Sequence, residues 1–118
     1  MRRTRLKRRT RLKPVNHERR EREWRRAYGS PERVRWVKSL PCSVPGCEER
    51  PCDNAHVSPE GDPSGMARKH GYTQIIPLCR AHHRELDDQL GQRAFNDKYG
   101  IDVDLIAVLV AERWEENE

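Results

Sequence analysis

The chain has 118 residues, of which 36% are charged and only 34% hydrophobic. A chain this small and polar buries little apolar surface, so its core needs a further source of stability such as a bound metal. No segment approaches the ~20 consecutive apolar residues of a membrane-spanning helix, and the basic N-terminus lacks the apolar stretch of a signal peptide. We therefore expect a cytoplasmic protein that does not enter membranes.

Positive charge is concentrated at the N-terminus. Residues 1–26 contain 13 Arg or Lys and 3 Glu, whereas the remainder contains 11 Arg or Lys and 16 Asp or Glu. The segment RRTRLK at 2–7 recurs unchanged at 8–13. We predict a disordered basic arm over residues 1–16 that binds DNA phosphates, with a solubility tail as the alternative. Its predicted DNA-binding residues are Arg2, Arg3, Arg5, Lys7, Arg8, Arg9, Arg11 and Lys13.

Two helices are predicted after the arm. Residues 17–28 form the first, which ends at Gly29. Ser30 then caps a second helix that has Pro31 at its first position. The residues of this second helix predicted to face the core are Val34, Val37 and Leu40.

The centre of the chain predicts a turn-rich knuckle, two short strands and a helix. The knuckle covers 42–52, the strands 54–57 and 73–78, and the helix runs from Cys79 to about Leu90. Gly91 should break this helix. A short helix burying Ala94, Phe95 and Tyr99 and a final helix at 102–116 should follow. The final helix should present Leu105, Ile106, Leu109, Val110 and Trp114 on one side.

Two short-spaced pairs of residues predict a structural zinc site. Cys42 and Cys47 flank a tight turn, and Cys79 and His82 are separated by two residues at a helix start. Zinc takes four nitrogen or sulfur ligands in a tetrahedron, commonly from two such pairs. Two alternatives stay open: Cys52 in place of Cys47, or buried free cysteines without a metal.

A second group of residues predicts hydrolytic chemistry. His83 follows His82 directly, and Asp87 lies four residues later on the same helix face. Neighbouring helical residues point about 100° apart, so His82 can face the zinc while His83 faces a cleft. There His83 and Asp87 would hold Mg²⁺ or Mn²⁺, and His56 on the first strand would take a proton from the water that attacks phosphorus.

These residues resemble a known family. Residues 41–90, through CSVPGC, DNAHV and QIIPLCRAHH, resemble HNH endonucleases, the zinc-stapled branch of the ββα-metal fold. Over about 30–115 the chain resembles small phage and prophage HNH nucleases, including the RecA-dependent, recombination-associated type. The resemblance implies an α+β protein with a zinc-stabilised ββα-metal core at about 41–90. This core lies in a single nuclease domain at 17–118, with C-terminal helices at 91–116.

The resemblance also implies roles for individual residues. His56 occupies the general-base position and His83 the metal-ligand position, while Cys42, Cys47, Cys79 and His82 match the zinc ligands. The chain departs from the family pattern at two positions, and each departure has possible replacements.

Gln74 stands where the family has its middle Asn, with Asn54 as a possible substitute. Ala55 stands where many members have an acidic metal ligand directly before the base. Asp87 would restore that carboxylate, and Asp53 is a weaker candidate.

DNA is the expected partner, with a recombinase as a candidate protein partner. The resemblance implies that the metal-binding helix lies in the minor groove. Arg80 and Arg84 on this helix, and Arg68 and Lys69 in the loop between the strands, would contact phosphates. We therefore predict a metal-dependent DNA endonuclease that acts in phage recombination or DNA processing. The alternatives are a catalytically silent zinc-stapled DNA-binding module, favoured by Gln74 and Ala55, and an interaction or packaging protein with a zinc knuckle.

Overall fold

The structure is a computed structural model that describes residues 16–58 and 71–117. Within these ranges it confirms a small α+β protein. The elements in chain order are α1 (His17–Tyr28), α2 (Pro31–Ser39), β1 (Asp53–His56), β2 (Ile75–Leu78), α3 (Arg80–Arg84), α4 (Gly91–Tyr99) and α5 (Val103–Asn117).

None of the helices in the described parts of the chain is long and apolar enough to cross a membrane. The predicted disordered arm falls almost entirely on residues 1–15, which lie outside the described residues.

The first helix has its predicted bounds, and the second begins after its predicted cap, Ser30. The Asn16 side chain accepts a hydrogen bond from the Arg19 amide at 2.9 Å, and α1 ends at Gly29. Ser30 caps α2 by accepting from the Arg33 amide at 3.1 Å. Helix α1 buries none of its residues, whereas Val37 of α2 is fully buried against the rest of the core.

The two strands form an antiparallel hairpin, and both are shorter or shifted relative to the prediction. Asp53 pairs with Leu78 at one end, and His56 pairs with Ile75 at the other. The segment Tyr72–Gln74 forms a 3₁₀ turn instead of the start of the second strand. The turn is closed by a hydrogen bond from the Gln74 amide to the Gly71 carbonyl at 3.0 Å. All four residues of β2 are buried, so the hairpin runs through the core.

The sequence predicted a single α-helix after β2, from Cys79 to about Leu90, but the structure has two helical segments there. The second segment, Glu85–Leu90, is a π-helical turn, in which hydrogen bonds span one residue more than in an α-helix. Gly91, with φ +77° and ψ 169°, breaks the run as predicted. In α4 Phe95 is fully buried, but Ala94 is exposed, so its predicted burial is wrong.

Helix α5 packs on β2 and the 3₁₀ turn through a stripe that matches the predicted one only in part: Val110 is buried and Ile106 packs against the core, as predicted. Val103, Ala107 and Val110 are the buried residues, whereas Leu105 and Leu109 are each 54% exposed. Hydrophobicity alone did not reveal which of two apolar faces of α5 would be covered.

Candidate metal centre and adjacent cleft

The knuckle before β1 is built on a tight turn. The Cys47 amide donates to the Val44 carbonyl at 3.0 Å, and Gly46 has φ +83°. Pro at the second and Gly at the third position, with positive φ at the Gly, are typical of a type II turn. This turn brings the sulfur atoms of Cys42 and Cys47 to the same side of the knuckle.

The knuckle is attached to the end of β2. Ser43 donates to the Pro77 carbonyl through its amide at 2.9 Å and through its hydroxyl at 2.7 Å. The Cys79 amide donates to the Cys42 sulfur at 3.4 Å. The knuckle is thereby held beside the start of α3, which carries the second pair of predicted ligands.

The four predicted zinc ligands come together. The ligand atoms of Cys42, Cys47, Cys79 and His82 all lie within 4.8 Å of one another. The Cys47 and Cys79 sulfurs are 3.9 Å apart, and His82 Nδ1 lies 3.1 Å from the Cys79 sulfur. Zinc–sulfur bonds of about 2.3 Å in a tetrahedron place sulfurs about 3.8 Å apart, so the cluster can hold a metal ion of this kind.

The surroundings of the cysteines distinguish the cluster thiols from the spare thiol. Burial raises the pKa of the Cys42 thiol to about 12, so a thiolate there needs a cation to balance its charge. Cys52 is outside the cluster. Its sulfur faces the Glu49 carbonyl at 3.6 Å, and burial is the main cause that raises its pKa. The geometry therefore supports Cys47, and not Cys52, as the fourth ligand.

A polar group supports His82 from outside the cluster. The Tyr99 ring meets the His82 ring edge-on, with centroids 5.4 Å apart. The Tyr99 hydroxyl donates to Glu85, and Lys98 donates to the same carboxylate at 2.6 Å. Hydrogen bonds from Lys98 and Tyr99 hold the pKa of Glu85 below its usual value. These bonds hold the Tyr99 ring in place, and the ring packs against His82 from outside the cluster.

His83 faces a separate, open cleft of about 280 Å³. Of the predicted site residues, the structure brings His83, Asp87, Arg80 and Arg84 to this cleft. Asp53 and Asp88 also line it. The cleft therefore combines three carboxylates, one imidazole and two guanidinium groups from β1, α3 and the π-helical turn.

The His83 ring lies between two carboxylates. Its Nδ1 is 2.9 Å from Asp53 Oδ2, and its Nε2 is 3.0 Å from Asp87 Oδ2. Arg80 Nε also lies 3.2 Å from Asp53 Oδ2. Burial acts to raise the pKa of Asp53, but the His83 hydrogen bond and the Arg80 charge outweigh it, so the pKa lies below its usual value.

His56 does not line this cleft. It is at the opposite end of β1 from Asp53, and residues three apart in a strand point to opposite faces. Its Nε2 lies 2.7 Å from the Ala27 carbonyl, and its ring meets the Tyr28 ring edge-on at 5.0 Å. The structure thus places the predicted base against the end of α1.

The other predicted positions are more scattered. Gln74 has a buried side-chain oxygen without a hydrogen-bond partner among the described residues, and Asn54 donates to the Val34 carbonyl at 3.2 Å. The remaining predicted DNA contacts lie outside the described residues: Arg2, Arg3, Arg5, Lys7, Arg8, Arg9, Arg11, Lys13, Arg68 and Lys69.

Sequence reasoning underestimated Asp53 and missed Asp88. A signal for Asp53 was present, because residues two apart in a strand share a face. Asp53 can therefore supply, on the same face of the strand, the carboxylate that Ala55 lacks. No comparable signal existed for Asp88, whose place in the cleft depends on the π-helical turn.

The fold and the cluster define a small α+β protein with a Cys₃His site that can hold a metal ion. A family model described as "Protein of unknown function (DUF968)" matches residues 14–113, and the chain belongs to this family. The chain is also similar to the "Uncharacterized protein YdfU" of Escherichia coli (strain K12), with 38% identity over 82 residues. That match covers 70% of this chain but only 22% of the relative. No solved structure matches the chain.

Proposed function

We propose that this protein is a metal-dependent DNA endonuclease of the HNH (ββα-metal) type, which hydrolyses phosphodiester bonds during phage recombination or DNA processing. The observation that carries the proposal is the placement of His83. The Cys₃His cluster brings the knuckle and the start of α3 together. Beside it, Asp53 from β1, His83 and Asp87 line one open cleft. Arg80 and Arg84 at the same cleft suit a negatively charged substrate.

The donors of the cleft fit a divalent ion at one particular atom. When Asp53 accepts a hydrogen bond from His83 Nδ1, the ring presents Nε2 toward Asp87. A carboxylate that fixes a histidine in this way is the usual support of a metal-ligating imidazole. His83 and Asp87 would then hold the ion, here Mg²⁺ or Mn²⁺. A bound divalent ion would stabilise the charge that develops on the phosphate and on the leaving oxygen.

The proposal keeps His56 as the candidate base, and its hydrogen bond defines the tautomer of the ring. A carbonyl only accepts hydrogen bonds, so the contact with Ala27 places the proton on His56 Nε2 and makes Nδ1 the basic nitrogen. β1 spans ~10 Å between Asp53 and His56. Asp53 and His56 also point to opposite faces of the strand, so the proposal requires the DNA to pass around the strand edge to reach both His56 and the cleft. Catalytic hydrogen bonds of this kind commonly form only when the substrate binds.

A second function has its own support. A catalytically silent, zinc-stapled DNA-binding module would need the basic residues and the Cys₃His cluster but no base at the cleft. The position of His56 away from the cleft and the Ala at position 55 favour this alternative.

A plasmid assay separates the two functions. Supercoiled DNA is incubated with the purified protein and Mg²⁺ or Mn²⁺, and binding is measured in parallel. We expect nicked or linear product from the native protein and a loss of about 100-fold or more in Asp87→Asn and His83→Ala. Asp97→Asn, an exposed change on α4, is the matched control and should cleave normally. If the native protein binds DNA but leaves it intact with both metals, the silent module is the correct function.

A further inference from the structure

A second cavity lies away from the cleft. It has a volume of about 170 Å³ and is lined by Arg25, Gly29, Ser30, Arg33, Tyr72 and Trp114. These residues come from the junction of α1 and α2, the 3₁₀ turn and the C-terminal part of α5. Two guanidinium groups and two aromatic rings therefore share one small cavity, and none of the described residues that line it is acidic. We refer to it as the Arg–aromatic pocket.

The pocket is firmly built. Gly29 has φ +87°, and a Cβ atom there would lie 3.0 Å from Arg33 Cδ and 3.4 Å from the Tyr72 ring. Glycine thus allows the backbone to approach both side chains closely. Arg33 is buried, and its guanidinium lies 5.1 Å from the Tyr72 ring centroid. Trp114 packs against Trp36 with ring centroids 5.3 Å apart.

The rim of the pocket carries an accessible positive charge. The Arg25 side chain is 55% exposed, and its Nε lies 3.2 Å from Glu21 Oε1. Exposed ion pairs between residues four apart on a helix are weak. A phosphate at the rim can therefore replace Glu21 as the ion-pair partner of the Arg25 guanidinium. Tyr72 is also partly exposed, so one aromatic ring is open to a ligand beside this cation.

We propose that the Arg–aromatic pocket binds one unpaired nucleotide of single-stranded DNA. The base would stack on the exposed ring of Tyr72, and Arg25 would contact the neighbouring phosphate. Aromatic platforms beside arginines are suited to unstacked bases of any sequence, whereas a duplex hides the faces of its bases. The inference rests on the proposed endonuclease function for its biological meaning, and it specifies DNA with an unpaired segment as the substrate class.

The position of the pocket fits such a substrate. Tyr72 leads directly into β2, whose other end, at Leu78, pairs with Asp53 at the cleft. The length of β2 is ~10 Å, so the pocket and the cleft are at opposite ends of one hairpin. A short single-stranded stretch next to a cleavable duplex can span this separation.

Binding of labelled oligothymidine, measured by fluorescence anisotropy without added divalent ions, tests the inference. Tyr72→Ala should weaken binding of the single strand about tenfold, while Tyr72→Phe, which keeps the ring, should bind normally. Arg25→Gln should weaken binding more than Arg22→Gln, an equal charge change elsewhere on α1. Binding of a blunt duplex should change little in Tyr72→Ala.

Two outcomes overturn the inference. One is native affinity of Tyr72→Ala for oligothymidine when its melting temperature is unchanged. The other is an equal loss of single-strand and duplex binding, which indicates a general defect. If Tyr72→Ala melts early, the comparison of Arg25→Gln with Arg22→Gln decides, and equal single-strand affinity of these two variants then overturns the inference. Cleavage is not needed for any readout, so an inactive protein that binds through Tyr72 contradicts only the proposed function.

Discussion

His82 and His83 are neighbours in the chain, yet they belong to two regions of opposite character. His82 faces a cluster in which Cys42 and Cys79 are 7% and 4% exposed and four donor atoms converge. His83 faces a cleft in which the Asp87 side chain is 52% exposed and the two carboxylates contact opposite nitrogens of one ring. Structural metal sites are closed by protein ligands, whereas catalytic sites keep positions for water and substrate. The contrast is the one that the proposed function requires, with stability supplied at the cluster and chemistry at the cleft.

The largest expected effect comes from the cluster. Cys79→Ser should abolish metal binding and folding, because binding of a structural zinc contributes on the order of 10 kcal/mol in small domains. Circular dichroism and metal analysis of the purified protein would show both losses. Cys52→Ser is the matched control, since this buried thiol lies outside the cluster, and it should retain the metal. A normal melting curve for Cys79→Ser would show that the cluster does not stabilise the fold.

His56→Ala tests whether the chemistry extends from the cleft across β1. We expect cleavage to fall about 10²- to 10⁴-fold, as for loss of a general base, with DNA binding retained. Single-turnover cleavage and a binding titration measure the two properties separately. His17→Ala, an exposed change on α1, is the control. Cleavage at the native rate would show that the base is another group.

Asp53→Asn tests whether Asp53 orients His83, which with Asp87 would hold the metal ion in the cleft. Asp53 contacts His83 at 2.9 Å and would orient its ring. Loss of such a support typically lowers metal affinity or activity about 10- to 100-fold. The protein should stay folded, and the Mg²⁺ or Mn²⁺ concentration needed for half-maximal cleavage should rise. A variant with unchanged metal dependence would show that Asp53 does not position His83.

The smallest effect concerns stability in acid. The pKa of Asp53 lies below its ordinary value of 3.8 in the folded protein. A carboxyl with a lowered pKa stabilises the fold above its unfolded-state pKa, and this contribution is lost as the pH falls through the folded-state value. The melting temperature of the native protein should therefore exceed that of Asp53→Asn at pH 6. The difference should shrink below about pH 4, and a constant difference would assign the effect to packing.

Local signals in the sequence were sufficient for much of the fold. The breaker Gly29 ends α1 and the cap Ser30 starts α2, as predicted, because such residues act within one helical turn. The ligand pairs of the cluster were also readable, since each pair lies within a single turn or helix start. The predictions failed where contacts with distant segments determine burial. Leu105 and Leu109 of α5 are exposed because β2 covers another face of that helix.

The sequence by itself determined the α+β class, the set of metal-competent ligands and the separation of His82 from His83 around a helix. Each of these depends on short-range geometry, namely turn types and the helical repeat. Only the tertiary structure decided that Asp53 reaches His83, that His56 contacts the end of α1, and that Tyr72 meets Arg33 beside Trp114. These contacts depend on strand register and on how the helices pack over the hairpin, and no local sequence pattern specifies either.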